Sequence, residues 1–311
     1  MPTSLKPIAR TLVAILAAGS SLACAQEADE VSQASLITET TRVTPGQTLL
    51  LGLHFDLKDK WHIYWDGRND TGFAPTVEWT LPEGVKVGPM LWPAPHRYES
   101  PGEILDHVYE GRPTILIPVT IEYGTVPGTK LEIAGEVEWL VCNDICLPGF
   151  GPVSIDLDVV RMGNSSALTP PKLSVSDPIG HAAANLPEPI LPGEAVEGLE
   201  LGWTDDTVTI RYEGASELAF YPAMESTSLI SALKDGVAKG DTLSLHLASA
   251  ERDLSKNEER RLVGVLAVVP EAGEPRWYTI DFGADGLRKP ANADTIARVR
   301  DRVEPKPESG Q

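Results

Sequence analysis

Basic residues are scarce in this chain. Its 311 residues carry 26 Lys and Arg against 45 Asp and Glu, a formal net charge of −19, and a field of that sign repels phosphate backbones and anionic headgroups. Nucleic-acid and membrane-surface partners are therefore not expected. Long apolar runs are missing beyond the N-terminus: the longest, Leu262–Val269, is strand-sized, well short of the roughly 18 to 20 residues of a membrane span. No transmembrane segment is expected in the mature chain. No Gly-rich phosphate loop, His-Glu-x-x-His pair or Ser/His/Asp pattern occurs, so hydrolytic and nucleotide-dependent chemistry has no residues to carry it. Uninterrupted helical stretches are lacking too, since 26 Pro and 27 Gly break helices too often for a bundle. The length fits two domains of turn-rich β structure. Cysteine is rarest of all the reactive residues, at three.

The N-terminus has the parts of a secretory signal. Lys6 and Arg10 precede the apolar run Thr11–Ala18, and small residues lead to Ala23-Cys24-Ala25, an A-x-A form that predicts cleavage after Ala25 and export to the periplasm. The alternative is lipidation at Cys24, which normally follows a Leu-like residue three positions earlier, where Ser21 stands. Cleavage leaves Cys142 and Cys146, and two cysteines in an oxidising compartment are expected to pair.

After the signal peptide of residues 1–25, the pattern divides the chain. Over 26–162, stretches rich in Val, Ile, Thr, Tyr and Trp alternate with Pro/Gly turns, as in Thr48–Leu57, Thr76–Thr80, Thr114–Tyr123, Leu131–Val141 and Gly151–Val160. This is the signature of an antiparallel β-sandwich. Residues 163–197 shift to Ser, Pro, Ala and Gly and read as a Pro-rich linker, with a short helix near Ile179–Ala184. Strand signals resume over 198–290, at Leu199–Trp203, Thr207–Tyr212, Leu218–Tyr221, Thr242–Leu247, Leu262–Pro270 and Trp277–Phe282. A second β-sandwich is the simplest account, with a short helix inside Thr227–Ala238. Residues 291–311 give a C-terminal helix, from Ile296, Val299 and Val303 at helical spacing, then a disordered polar tail from Glu304. The expected class is all-β: two antiparallel β-sandwich domains and a short C-terminal helix.

Chemistry concentrates in Trp139-Leu140-Val141-Cys142-Asn143-Asp144-Ile145-Cys146-Leu147-Pro148-Gly149. A strand leads into an Asn-Asp turn signal, so Cys142 and Cys146 are expected to face each other across a tight hairpin, with α-carbons near the roughly 5.5 to 6 Å that disulfides prefer. Closing a loop this short stabilises by only about 2 kcal/mol in the chain-entropy model. A domain with a real core has little need of such a staple, which favours a redox couple over a structural bridge. Metal binding is the least favoured, because two thiolates make half a tetrahedral site. Glu136, Glu138, Asp144 and Asp156 lie near in sequence; anions raise a thiol pKa, so the pair suits giving electrons away.

With Trp61-His62-Ile63-Tyr64-Trp65 and Leu91-Trp92-Pro93-Ala94-Pro95 upstream, the cysteine motif resembles the N-terminal periplasmic domain of DsbD-type thiol:disulfide interchange proteins, in particular the ScsB-like branch, over about Ser35–Val160. The resemblance implies an immunoglobulin-like sandwich whose redox pair is Cys142 and Cys146. It also implies a membrane thiol transporter as electron donor, periplasmic thioredoxin-fold proteins as acceptors, and a shielding loop placed within Trp92–Tyr109. The DsbD pattern continues into a membrane domain and a thioredoxin-like domain that this sequence does not contain, so the donor is expected to be a separate protein. Cys142 is slightly preferred as the partner-facing sulfur. A rival reading is a non-catalytic secreted β-sandwich binding or assembly module that keeps a structural disulfide.

No cofactor is expected. His54, His62, His96 and His107 invite a copper reading, but scattered single histidines read first as surface or loop residues. Trp61, Tyr64 and Trp65 at strand spacing read as packing rather than a partner groove. The sequon at Asn164 reads as coincidence.

Overall fold

The computed structural model describes residues 28–161, 170–248 and 260–305. The signal-peptide and lipidation readings, the Asn164 sequon and most of the expected tail lie outside the described residues.

The chain is mostly β, in two sandwiches. In the first, one sheet runs β1 (Ser32–Thr38), β3 (Thr48–Leu57), β9 (Thr114–Ile121), β6 (Val85–Val87). The facing sheet runs β2 (Arg42–Val43), β11 (Cys146–Val159), β10 (Lys130–Cys142), β4 (His62–Tyr64), β8 (Ile104–Glu110), β7 (His96–Ser100), with β5 (Thr76–Thr80) also on β10. In the second sandwich, one sheet runs β12 (Glu188–Pro189), β19 (Arg276–Gly283), β18 (Arg261–Pro270), β15 (Ala215–Pro222), β16 (Val237–Lys239), with β20 (Gly286–Leu287) on β19. The other holds β13 (Leu199–Thr204), β14 (Thr207–Tyr212) and β17 (Thr242–His246). Pairing is antiparallel as expected, except that the two-residue strands β2 and β12 join β11 and β19 in parallel.

Side-chain alternation explains the layers. Along β10, Leu131, Ile133, Val137, Trp139 and Val141 enter the core while Glu132, Glu136 and Glu138 face solvent. A period of two with one apolar face is the condition for a half-buried antiparallel strand. In contrast, β3 is buried along nearly its whole length. Leu49, Leu51, Leu53 and Phe55 pack inward, and Leu50 points outward onto α1 (Pro178–Ala184) and α3 (Ala293–Arg300) through Ile179, Ala182, Ala183, Ile296 and Val299.

That packing changes the reading of the segment expected as a linker. Its described part holds α1 and β12, and Leu173 bridges in parallel to Val303, so it lies as a cover over the first sandwich, held by the C-terminal helix. Its prolines accommodate this: Pro178 opens α1, where its missing N–H is no loss, and Pro189 sits on a sheet edge. The helix expected within Thr227–Ala238 is the single turn α2 (Ala232–Asp235), capped by Ser231 Oγ, which accepts from Lys234 N at 3.2 Å.

A polar seam joins the two sandwiches. Arg68 donates to the carbonyls of Ala223, Met224 and Ser226, and Gly67 bridges to Ala223. Arg97 on β7 donates to the carbonyls of Ala232 and Leu233 at 3.1 and 2.5 Å, beside an ion pair of Glu103 and Lys234 at 3.1 Å. His107 lies between Trp65 and Tyr221, with ring centroids 5.9 and 5.1 Å away.

Candidate functional site

Cys142 ends β10 and Cys146 begins β11, and they are direct register partners joined by a disulfide with S–S 2.08 Å. Their α-carbons are 4.2 Å apart, closer than the sequence reading expected, because directly opposed residues in a non-hydrogen-bonded antiparallel pair approach to roughly 4.5 Å. The turn is closed by Asn143 N donating to Ile145 O at 3.0 Å. Gly149, opposite Trp139, leaves room for the indole: a Cβ there would meet the ring at 2.2 Å. Trp139 is in turn fixed by its Nε1 donating to Ser32 Oγ at 2.9 Å.

The sheet has two faces here, and the register assigns residues to each. Ile63, Tyr109, Trp139, Val141 and Leu147 enter the main core. On the opposite face His62 faces Cys142 and Glu110 across its two neighbouring strands, Tyr64 faces Val108, and Tyr98 faces Asp106. Cys142, Tyr64 and Val108 form a small buried cluster with Tyr98 and Leu140 against it. The site therefore sits on the outer face, under a local cover.

Exposure separates the sulfurs. Cys142 is 2% exposed, whereas Cys146 lies at the surface next to Ile145, which is 60% exposed at the tip of the turn. The sulfur that the sequence reading slightly preferred as partner-facing, Cys142, is thus the buried one of the two. The turn ends as β11 enters the sheet rim, so only the second cysteine reaches solvent.

The expected shield is present in part. Val108, on the β7–β8 hairpin, shares a buried cluster with Tyr64 and Cys142, and Tyr98 packs against that cluster. Trp92 instead stacks on Tyr109 at 6.4 Å, and Tyr109 Oη donates to Pro93 O at 2.6 Å, on the core side of the sheet. The Trp-Pro-Ala-Pro motif thus braces the hairpin from behind. The remaining cover comes from residues 69–72, which sequence reasoning missed. Asn69, Asp70 and Thr71 are tied to β8 by bonds with His107 N, Leu105 N and Asp106, and Gly72 packs so closely on Tyr64 that a Cβ would meet its ring at 2.1 Å.

Tyr64, read from the sequence as packing, touches the chemistry. Its hydroxyl is 3.8 Å from Cys146 Sγ and 3.2 Å from Thr71 Oγ1, and Thr71 donates to Asp106 Oδ2 at 2.6 Å. Burial raises the Tyr64 pKa, so the phenol stays a neutral donor. Trp65 is core, and Trp61 packs partly buried against it.

Three of the four histidines are buried, not on the surface as expected. His54 Nδ1 bonds Thr114 Oγ1 at 2.8 Å, His107 Nδ1 bonds Arg68 O at 2.7 Å, and His62 is 2% exposed, while His96 is exposed. Among the described residues no cluster of three or more His, Cys, Asp or Glu is placed to hold a metal. Burial lowers the His62 pKa against the opposing pull of Asp106 and Glu110. Its Nδ1 has no hydrogen-bond partner among the described residues.

Residues 33–156 match the family model described as "Thiol:disulfide interchange protein DsbD, N-terminal". Among solved structures, the N-terminal periplasmic domain of ScsB from Proteus mirabilis is similar at 16% identity and a TM-score of 0.50, over 82% of this chain and 94% of that one. At this identity the likeness is one of fold, and it extends past the family match into the second sandwich. The reduced DsbD N-terminal domain of Neisseria meningitidis matches at 11% identity and a TM-score of 0.25, over 44% of this chain and 90% of that one, too slight to carry an argument. No curated protein matches by sequence at a significant level.

Proposed function

Residues 33–156 are a DsbD-type N-terminal domain, and on that premise we propose that the chain is a periplasmic thiol:disulfide interchange protein that passes electrons through Cys142 and Cys146. The observation that carries this reading is the unequal exposure of the two sulfurs. Thiol–disulfide exchange proceeds by in-line attack of a thiolate on one sulfur of the disulfide, through a mixed-disulfide intermediate. Only Cys146 is open to such an approach, so Cys146 forms the mixed disulfide and the buried Cys142 resolves it. The redox unit spans residues 26–162, with residues 198–290 as a second domain that braces the cover of the site through Arg68 and Arg97. A separate membrane thiol transporter supplies the electrons and periplasmic thioredoxin-fold proteins accept them.

Two measurements test this. Equilibration in graded glutathione or dithiothreitol buffers should give a potential above about −300 mV, since structural bonds lie below that level. In the native host Cys142→Ser should capture partners as reducible adducts, because its mixed disulfide at Cys146 has no internal thiol to release it, while Cys146→Ser should capture few. A potential below that limit, with no adducts from either variant, would replace the carrier by a binding or assembly module with a structural disulfide.

A further inference from the structure

The cover solves one problem and creates another. When Cys146 is attacked, the departing sulfur is Cys142, and it departs into an apolar pocket of Tyr64, Val108 and Tyr98. A thiolate is strongly disfavoured there unless it is paired or protonated. The carboxyl groups of Asp106 and Glu110 on β8, which act on the neighbouring His62, offer a thiolate no compensation. A proton has to reach Cys142 within the pocket as the disulfide opens, and leave it as the disulfide closes.

We propose that His62 is that proton donor and acceptor: its buried, unpartnered Nδ1 serves the Cys142 sulfur across one strand pair. His62 and Cys142 are direct register partners of β4 and β10, which places their Cβ atoms roughly 4.5 to 5.5 Å apart on the same face of the sheet. The imidazole is 2% exposed and packs against Tyr98 at 4.5 Å and Tyr64 at 5.4 Å between ring centroids. A buried nitrogen with no partner is unusual in a folded protein and calls for a reason. In the oxidised pair Cys142 has no proton to offer Nδ1; in the reduced pair its thiol is the donor that Nδ1 lacks. The groups facing the ring are Cys142 from β10, Tyr98 from β7, Asp106 and Glu110 from β8, and Tyr64 from its own strand. The two carboxylates moderate the burial that keeps the ring neutral, which leaves imidazole as the resting base and imidazolium within reach.

The inference rests on the exchange reading above and adds its proton path. In the outward direction the Cys146 thiolate attacks a partner disulfide and releases the first partner thiolate. As Cys142 Sγ then attacks Cys146 Sγ, its proton passes to His62 Nδ1, the mixed disulfide breaks, and the second partner thiolate leaves. The pair is oxidised by two electrons, the partner disulfide is reduced by two, and the imidazolium gives its proton to solvent. In the inward direction the imidazolium protonates Cys142 as it departs.

The test is reduction of the oxidised full-length protein by dithiothreitol between about pH 4.5 and 8, with acid quenching, alkylation of the new thiols and mass detection. Rates are divided by the thiolate fraction of the reagent. The corrected wild-type rate should fall about tenfold or more as pH rises through the His62 titration, within the range of general acid–base effects. His62→Gln, which keeps a polar group but cannot titrate, and His62→Phe, which keeps the packing, should both lose the step. A flat wild-type profile overturns the proposal whether or not the variants fold, and so does an unchanged step in either folded variant. Because the reagent needs no biological partner, failure here is distinct from failure of partner trapping, which would remove the carrier reading and leave the His62 chemistry standing.

Discussion

Tyr64 places its hydroxyl 3.8 Å from Cys146 Sγ while Thr71 Oγ1 lies 3.2 Å on its other side. The phenol can donate to only one of them at a time. With the pair oxidised, Thr71 is the better acceptor; with Cys146 as a thiolate, the sulfur is. Tyr64→Phe should therefore raise the Cys146 thiol pKa by about half a unit to one unit, one unit being about 1.4 kcal/mol of differential interaction. The pH dependence of iodoacetamide alkylation of the reduced protein measures it. An unchanged midpoint would mean that the hydroxyl bonds only Thr71.

Gly149→Ala tests how tightly the cysteine hairpin is packed from behind. The added Cβ falls 2.2 Å from the Trp139 indole, which is 2% exposed and bonded to Ser32, so the ring has little room to retreat. Overpacking of this kind costs about 1 to 3 kcal/mol. Urea unfolding should show that loss with little change in m-value, and a variant as stable as wild type would show that the indole can shift.

Arg97 ties the hairpin over Cys142 to the second sandwich. Arg97→Ala removes its two bonds to Ala232 and Leu233 and should speed amide hydrogen exchange across His96–Ser100 by about tenfold, the effect of losing roughly 1.4 kcal/mol locally. Alkylation of reduced Cys146 should stay within about twofold, because that sulfur is already exposed. A large rise at Cys146 would show that the hairpin guards both sulfurs.

His107 makes the seam acid-sensitive. Burial between Trp65 and Tyr221 lowers its pKa to about 4, whereas in the unfolded chain it titrates near 6.5. Between these values the unfolded state binds the extra proton, so stability rises with pH across this window. The contribution is fully present above about pH 6.5 and is lost as pH falls toward 4, to the extent of about 3 kcal/mol. Denaturant unfolding at pH 7 and pH 4.5 should show a difference that His107→Phe reduces. An equal difference in that variant would move the acid sensitivity to another group.

Much of this molecule is legible in the residues. The run Leu131–Val141 sets Leu131, Ile133, Val137, Trp139 and Val141 at a period of two, and it forms a strand within one residue of the expected bounds. Asn143-Asp144 between two cysteines predicts a hairpin, and the pair closes across one. The cysteines themselves stand out because the chain holds only three. His62 and Tyr64 were not legible as site residues. Their neighbours in sequence, Trp61, Ile63 and Trp65, serve the core, and nothing local distinguishes an aromatic residue under a disulfide from one under a sheet. A period-two reading does place His62 and Tyr64 on one face together; what it lacks is the identity of the strand opposite. Residues 69–72 gave no signal at all, since their importance lies in backbone closeness to Tyr64.

The sequence by itself determined the class, the strand positions and the pairing of the two sulfurs, because alternation, turn chemistry and cysteine count are local properties of the chain. Only the tertiary structure decided which sulfur faces outward, what covers the other, and that His62 stands across from it. Those outcomes depend on register between strands far apart in sequence, β4 against β10 and β4 against β8. Register is set by the joint burial of every strand in the sheet, and a slip of one residue would send each of these side chains to the opposite face.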